Sequence, residues 1–133
     1  MALQLGGWAC IYAGDAARAI DYFSRALRLS PLDNRIFVLY SGLSTALIMV
    51  GRFEEAVDWA KKSVEINRLW VSGHKALASA LANSGRVTEA REAAARVISM
   101  DPSYRLARTT ALIKSGPELD RVIEGMRKAG IPD

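Results

Sequence analysis

The chain has 133 residues, of which 50% are apolar and 24% charged, a composition that indicates one globular domain and excludes a disordered chain. Its net charge of +4 is spread among acidic residues, and the single cysteine, Cys10, excludes an intramolecular disulfide. No apolar stretch is long and uninterrupted enough to predict a membrane span, so we expect a cytoplasmic protein without a membrane partner.

Apolar residues recur at helical spacing in the first part of the chain. The spacing predicts an amphipathic helix over about 15–29, with a stripe formed by Ala19, Ile20, Phe23, Ala26 and Leu27. Pro31 ends this helix, because the residue before a proline is pushed out of the helical region. Asp33 or Asn34 is predicted to cap the next helix, which extends to about Val50.

Two further pairs of helices follow. Gly51 breaks the chain before a helix over 52–66, whose apolar stripe consists of Phe53, Ala56, Val57, Ala60 and Val64. The last pair is predicted at about 69–84 and 86–99, with Gly85 at the corner. Met100-Asp101-Pro102 closes this pair.

One short motif recurs at the corners of these pairs. Gly14, Gly51 and Gly85 are each followed five residues later by an alanine, and they are separated by 37 and 34 residues. The glycine tolerates the positive φ of a tight turn, and the alanine allows two helices to cross closely. A period of this length predicts a solenoid of helix pairs that bury their apolar faces against one another.

The last thirty residues lack this motif. Tyr104–Lys114 is predicted to be a helix, and Ser115 with Glu118 has the spacing of a capping box for another. Leu119, Val122, Ile123 and Met126 form one apolar stripe, and Gly130 ends the helix. We expect this pair to cover the apolar flank of the last repeat.

The spacing of these residues resembles the tetratricopeptide repeat family. Positions of the family pattern are matched by Gly7, Gly14, Ala19, Phe23, Ala26 and Pro31, by Tyr40, Leu43, Gly51, Ala56 and Val57, and by Leu77, Ala78, Gly85, Ala90 and Pro102. The resemblance implies an all-α, right-handed superhelical solenoid of antiparallel helix pairs in a single domain over 1–133. Its repeats would cover about 2–33, 34–68 and 69–102, followed by a C-terminal capping helix pair over 103–133.

The C-terminal run has a resemblance of its own. Glu124-Gly125-Met126-Arg127-Lys128-Ala129-Gly130-Ile131-Pro132-Asp133 is similar to the C-termini of bacterial multidomain proteins that carry a class III adenylate or guanylate cyclase domain. This resemblance implies that the chain is the C-terminal regulatory or scaffold segment of such a protein. No part of the sequence resembles the cyclase catalytic domain.

The residue types needed for catalysis do not converge anywhere in the sequence. His74 is the only histidine, which excludes a two-histidine metal motif and any Cys–His cluster of standard spacing. No glycine-rich phosphate loop is present, and the acidic residues of 54–58 are spaced for exposed ion pairs with Lys61 and Lys62. We therefore expect no enzyme activity, no cofactor and no metal.

Repeat proteins of this kind bind through the concave surface that the first helix of each pair lines. The groove positions of the family fall on Gln4, Trp8, Ile11, Tyr12, Val38, Ser41, Thr45, Ile48, Met49, Lys75, Ser79 and Asn83. Only Lys75 resembles part of the Lys/Asn/Arg clamp that grips acidic chaperone tails in this family, so no such clamp is expected.

An apolar groove of this kind predicts a protein partner, such as an amphipathic helix anchored on Trp8, Tyr12, Ile48 and Met49. Two alternatives remain open: the groove is covered within the chain or its parent protein, or it binds a second copy in a homodimer. A nucleic-acid-binding helical repeat is disfavoured, because the groove carries one cation and no basic stripe.

Overall fold

The computed structural model describes residues 2–133, with side chains described from residue 4 onward, and all its regular elements are α-helices within that range. They are α1 (Ala2–Tyr12), α2 (Ala16–Leu29), α3 (Ile36–Met49), α4 (Phe53–Ile66), α5 (Val71–Asn83), α6 (Val87–Met100), α7 (Leu106–Thr110) and α8 (Pro117–Lys128). The first six form three hairpins, α1–α2, α3–α4 and α5–α6, and each hairpin also packs on the next. The all-α repeat architecture is therefore confirmed.

The recurrent glycines lie at the corners of the hairpins. Gly14, Gly51 and Gly85 have φ values of +78°, +85° and +82°, which side chains with a Cβ rarely adopt. The alanines that follow them, of which Ala56 is typical, are fully buried where paired helices cross. Ser44 of α3 donates a hydrogen bond of 2.7 Å to the carbonyl of Ala56, which shows how closely the two helices approach.

Phe23 of α2 joins the first two repeats. Its ring is fully buried and lies against two helical glycines, Gly7 of α1 and Gly42 of α3. A Cβ atom at Gly7 would lie 2.6 Å from Phe23 Cε1, and one at Gly42 would lie still closer to the same ring. The two glycines are therefore needed for the space that the aromatic ring fills.

Three helix boundaries differ from the sequence-based predictions. Helix α3 begins after Arg35, whose N–H donates to the Asp33 carboxylate over 2.8 Å, so neither Asp33 nor Asn34 is the cap residue. The helix predicted over 104–114 is reduced to the five residues of α7. Helix α8 is capped by Gly116 without a side-chain bond, because Pro117 takes the first helical position and leaves Ser115 one residue too early.

The terminal helices pack on more of the solenoid than the last repeat. Helix α8 packs on α5 and α3, the first helices of the third and second repeats, and not on the outer flank of α6. The outward side of α6 is polar and exposed, with Arg91, Glu92 and Arg96 upon it, whereas α3 is buried over most of its surface. The apolar stripe of α8 therefore finds its complement on the concave face.

A concave groove closed at one end

The C-terminal segment crosses the concave face from the third repeat to the first. The N–H of Lys114 donates 2.8 Å to the carbonyl of Tyr12 at the end of α1, and α8 then returns along α3 and α5. The final residues meet the start of the segment, where the N–H of Leu106 donates 3.0 Å to the carbonyl of Pro132. Residues 104–133 thus form a plug over one end of the groove.

Polar contacts fix α8 to the repeats. Ser79 Oγ donates to the carbonyl of Val122 over 2.8 Å, and Asn83 Nδ2 donates to the carbonyl of Arg121 over 2.9 Å. The Arg121 guanidinium in turn donates to the carbonyl of Met49, at the C-terminal end of α3. The last turns of α3 and α5 are therefore bonded to α8.

Gly125 allows α8 to approach α5 closely. A Cβ atom at this position would lie 2.5 Å from Ser79 Oγ and would also overlap Asn83 Nδ2 and the Ser79 carbonyl. Because one of these neighbours is backbone, a side-chain rotation cannot relieve the overlap. Helix α8 can reach the floor of the groove only with glycine at this crossing.

The apolar side chains of α8 are buried in the fold. Leu119, Val122, Ile123 and Met126 are each at most 6% exposed. Burial of one such side chain contributes about 1.5–3 kcal/mol, so the four contribute roughly 6–12 kcal/mol as an upper estimate. That amount is comparable with the stability of a whole domain, about 5–15 kcal/mol. The apolar stripe of α8 is therefore buried as part of the core of the fold.

The groove residues predicted from the sequence differ in their exposure once the plug is in place. Buried in the structure are Gln4, Ile11, Ser41, Ile48, Met49 and Ser79; partly buried are Trp8, Val38, Thr45, Lys75 and Asn83; Tyr12 is exposed. Ile48 and Met49 are fully covered, so the structure does not present them to a partner. Trp8, Tyr12 and Val38 are brought together, whereas Ser79 and Asn83 hold α8.

An open depression remains at the other end of the groove. This aromatic hollow has a volume of about 370 Å³ and is lined by Leu5, Trp8, Ala9, Tyr12, Val38, Trp70 and Ser72. Its walls come from α1, α3 and the beginning of α5. The two side-chain hydroxyls of the lining belong to Tyr12 and Ser72. Leu5 at the rim is 69% exposed. A hollow of this composition fits an apolar side chain better than a charged one.

The two tryptophans of the aromatic hollow are positioned by contacts with residues outside its lining. The Trp8 ring lies edge-on to Phe23 with a centroid separation of 6.1 Å. The Trp70 indole N–H donates 2.8 Å to Ser41 Oγ, and its ring lies 5.6 Å from that of Phe37. The lining of the hollow is therefore preorganised, which lowers the entropy cost of binding.

A smaller inner cavity of about 100 Å³ lies between the aromatic hollow and the plug, and Trp8, Tyr12 and Ser72 line both spaces. Lys75 is the cation at its wall, and its ammonium lies 3.9 Å from the centre of the Tyr104 ring. Burial, helped by the nearby positive charge of Arg108, lowers the pKa of Lys75. The lone cation of the predicted groove is thus already engaged by the plug.

Leu5, Ala9 and Trp70 of the aromatic hollow were not among the predicted groove residues. The available signal for Trp70 was the run Leu69-Trp70-Val71, three large apolar residues at a predicted helix start, where a polar cap is usual. For Leu5, the sequence carries no comparable signal.

The described residues contain no cluster of histidine, cysteine, aspartate or glutamate that could hold a metal ion. Among them, no helix is long and apolar enough to cross a membrane.

Comparisons with known proteins agree with the fold. Two family models described as "Tetratricopeptide repeat" match residues 6–68 and 76–104, which together make up more than half of the chain. The Hsp70-Hsp90 organizing protein of Triticum aestivum is 34% identical over 97 residues, covering 73% of this chain and 16% of that protein. Heat shock protein STI1 of Saccharomyces cerevisiae is 30% identical over 102 residues, covering 77% and 17% respectively. This chain therefore corresponds to a small part of these relatives.

Solved structures show the same architecture. The first repeat domain of Spaghetti (RPAP3), described as bound to the HSP90 peptide SRMEEVD, has a TM-score of 0.70 at 18% identity and covers 96% of this chain and 90% of that one. MamA has a TM-score of 0.67 at 19% identity, covering 96% and 74%. The names of these relatives, a chaperone-organizing protein and a repeat domain among them, agree with the expectation that the chain is not an enzyme. With its three glycine-cornered hairpins and two matching family models, the chain belongs to the tetratricopeptide repeat family.

Proposed function

We propose that the chain is a non-catalytic binding module that receives a short apolar segment of a partner protein in the aromatic hollow. The observation that carries this proposal is the open hollow lined by Trp8, Tyr12 and Trp70 on the concave face. Rigid aromatic side chains in a preformed depression are typical of the residues that contribute most to protein–protein affinity. The exposed Leu5 beside them extends the apolar surface.

The chemistry of the groove argues against an acidic chaperone tail as the partner. Some relatives are named as organisers of Hsp70 and Hsp90, and one neighbour is described with the acidic peptide SRMEEVD. Here the groove offers only Lys75, which contacts the Tyr104 ring, while Ser79 and Asn83 are bonded to α8. A partner with two or more large apolar side chains and few charges complements the hollow better.

The proposal is tested with peptides. A random peptide library displayed on phage is selected against the purified chain, and enriched sequences are synthesised and measured by fluorescence anisotropy. We expect enriched peptides to share aromatic or long aliphatic anchors, and we expect SRMEEVD to show no saturable binding. Selection of acidic peptides without apolar anchors would contradict the proposed chemistry.

Variants locate the binding site. Tyr12→Ala and Trp8→Ala are each expected to weaken binding roughly tenfold, the effect of losing one well-packed aromatic anchor of about 1–2 kcal/mol. Trp59→Ala is the matched control, because Trp59 lies on α4 against Tyr40 and outside the hollow. Circular dichroism checks that each variant is folded. Equal affinity of the Trp8, Tyr12 and Trp59 variants would place the site elsewhere.

Light scattering distinguishes a partner protein from a second copy of the chain. Under the proposal the molar mass is that of one chain, 14.5 kDa, at micromolar and at high micromolar concentration. A doubled mass that Tyr12→Ala restores to the single value would assign the hollow to a homodimer.

We further propose that the chain is the C-terminal segment of a longer cyclase-like bacterial protein. The support is the resemblance of Glu124–Asp133 to the ends of such proteins. Two residues of this run have packing roles in the plug. Gly125 permits the close crossing of α8 with α5, and Ile131 is buried, with 2% of its surface exposed. Reading the complete open reading frame tests the proposal, and the absence of an upstream cyclase domain there would refute it.

A further inference from the structure

A second hollow lies away from the aromatic hollow, where α4, the beginning of α5 and α6 meet. This arginine hollow has a volume of about 340 Å³ and is lined by Val64, Arg68, His74, Arg96, Ser99 and Met100. It shares no residue with the aromatic hollow. Its polar lining consists of two guanidinium groups, an imidazole and a hydroxyl, and it includes no acidic side chain.

His74 forms the buried base of the arginine hollow, with only 3% of its surface exposed. Its Nε2 lies 2.8 Å from the carbonyl oxygen of Arg68. A carbonyl can only accept a hydrogen bond, so Nε2 carries a proton, and in the neutral form of the ring the other nitrogen, Nδ1, has a free lone pair. Within the described part of the chain, Nδ1 is buried and has no hydrogen-bond partner. A buried polar atom left unpaired normally costs about 1–3 kcal/mol.

The two arginines of this hollow differ from several other arginines of the chain. Among the described residues, neither Arg68 nor Arg96 forms a salt bridge, whereas Arg52, Arg86 and Arg127 each do. The hydroxyl of Ser99 likewise makes no hydrogen bond in this part of the chain, although it is exposed. The hollow thus combines two arginines that form no salt bridge among the described residues with a buried histidine whose Nδ1 has no hydrogen-bond partner.

We propose that the arginine hollow binds an oxyanion that keeps one acidic hydroxyl, of which hydrogen phosphate is the simplest example. The charged oxygens of such an anion accept hydrogen bonds from the guanidinium groups of Arg68 and Arg96. Its hydroxyl donates to Nδ1 of His74, which satisfies the unpaired acceptor. The proposal requires that rotation of Arg68 and Arg96, which are long and exposed side chains, open a path to the buried nitrogen.

The single histidine gives a direct experiment. The imidazole nitrogen signals of the 15N-labelled chain belong to His74 without further assignment. The protein is titrated at pH 7.5 and constant ionic strength with inorganic phosphate, with sulfate, which has no hydroxyl, and with phosphoserine, which is mostly a dianion because its second pKa is about 6. We expect a saturable change of the Nδ1 signal with inorganic phosphate, and weaker or no change with the other two anions.

Variants separate this site from general attraction of anions. Arg68→Ala and Arg96→Ala are each expected to weaken phosphate binding roughly tenfold or more, because each removes a charge-assisted hydrogen bond. Arg91→Ala, an exposed arginine of the same helix as Arg96 but outside the hollow, is the matched control and should leave the affinity unchanged.

The following results would overturn the proposal. They are the absence of a saturable change with phosphate, an equal response to sulfate, and an Arg91→Ala effect as large as that of Arg96→Ala. Phosphoserine binding equal to that of inorganic phosphate would likewise refute the role of the hydroxyl. None of these outcomes bears on the peptide-binding proposal, since the two hollows have no residue in common.

Discussion

Replacement of Gly125 by alanine tests the position of α8, because two physical effects predict opposite signs. In an isolated helix, Gly→Ala stabilises by about 1 kcal/mol through backbone entropy. In the structure, the new Cβ would overlap Asn83 Nδ2 and both the side chain and the carbonyl of Ser79. Such overpacking costs about 1–3 kcal/mol.

Relief of the overlap requires α8 to move away from α5. That movement stretches the hydrogen bonds from Ser79 Oγ to Val122 and from Asn83 to Arg121, each of which contributes about 0.5–1.5 kcal/mol. After the propensity gain is subtracted, we expect a net destabilisation of about 1–5 kcal/mol. The measurement is unfolding in guanidinium chloride, followed by far-ultraviolet circular dichroism.

Two further variants control this measurement. Lys128→Ala, at an exposed position of the same helix, should change the free energy of unfolding by less than about 0.5 kcal/mol. Ser79→Ala combined with Gly125→Ala should recover only part of the loss, because the Ser79 carbonyl still overlaps the new Cβ. If Gly125→Ala alone stabilises the protein by about 1 kcal/mol, α8 does not cross α5 at this residue.

Three other predictions concern the repeats and the groove. Ala56→Leu should destabilise by about 1–3 kcal/mol and Ala95→Leu by less than about 0.5 kcal/mol, because Ala56 is fully buried and Ala95 is exposed; equal denaturation midpoints would refute the helix register. Trp70→Phe should cost about 0.5–1.5 kcal/mol through loss of the indole bond to Ser41 Oγ, and an unchanged free energy of unfolding would show that the bond contributes nothing. Because burial lowers the pKa of Lys75 in the folded state, the unfolded chain binds more protons between that lowered pKa and 10.5. The wild-type chain should therefore gain stability relative to Lys75→Met as the pH rises through this window, and parallel pH profiles would contradict the burial of the ammonium.

The architecture could be predicted from the sequence because local residues dictate it. A glycine is required wherever a tight corner takes positive φ, as at Gly51, and a small residue is required five positions later where two helices cross, as at Ala56. These are near-neighbour requirements that recur with the repeat, so their spacing reveals the period, the helix pairing and the buried face. The helix caps were harder to predict, since Ser115 and Pro117 compete for the same helix start.

The binding surface could be predicted only in part. Trp8, Tyr12 and Val38 were assigned to the groove by their repeat position, and the structure gathers them in the aromatic hollow. Ile48 and Met49 have the same periodicity but are covered by α8.

Periodicity describes contacts between neighbouring repeats, whereas α8 contacts residues about 40–70 positions earlier in the chain, such as Ser79 and Met49. An amphipathic stripe predicts that a helix will bury one face, but it does not predict which apolar surface of the protein that face will cover. The position of α8 depends on the close crossing at Gly125, on the carbonyl at the end of α3 that accepts from Arg121, and on the polar outer face of α6. These features are far apart in the sequence and come together only in the folded chain. The repeat pattern therefore dictates the solenoid and its corners, and tertiary packing decides which part of the groove stays open.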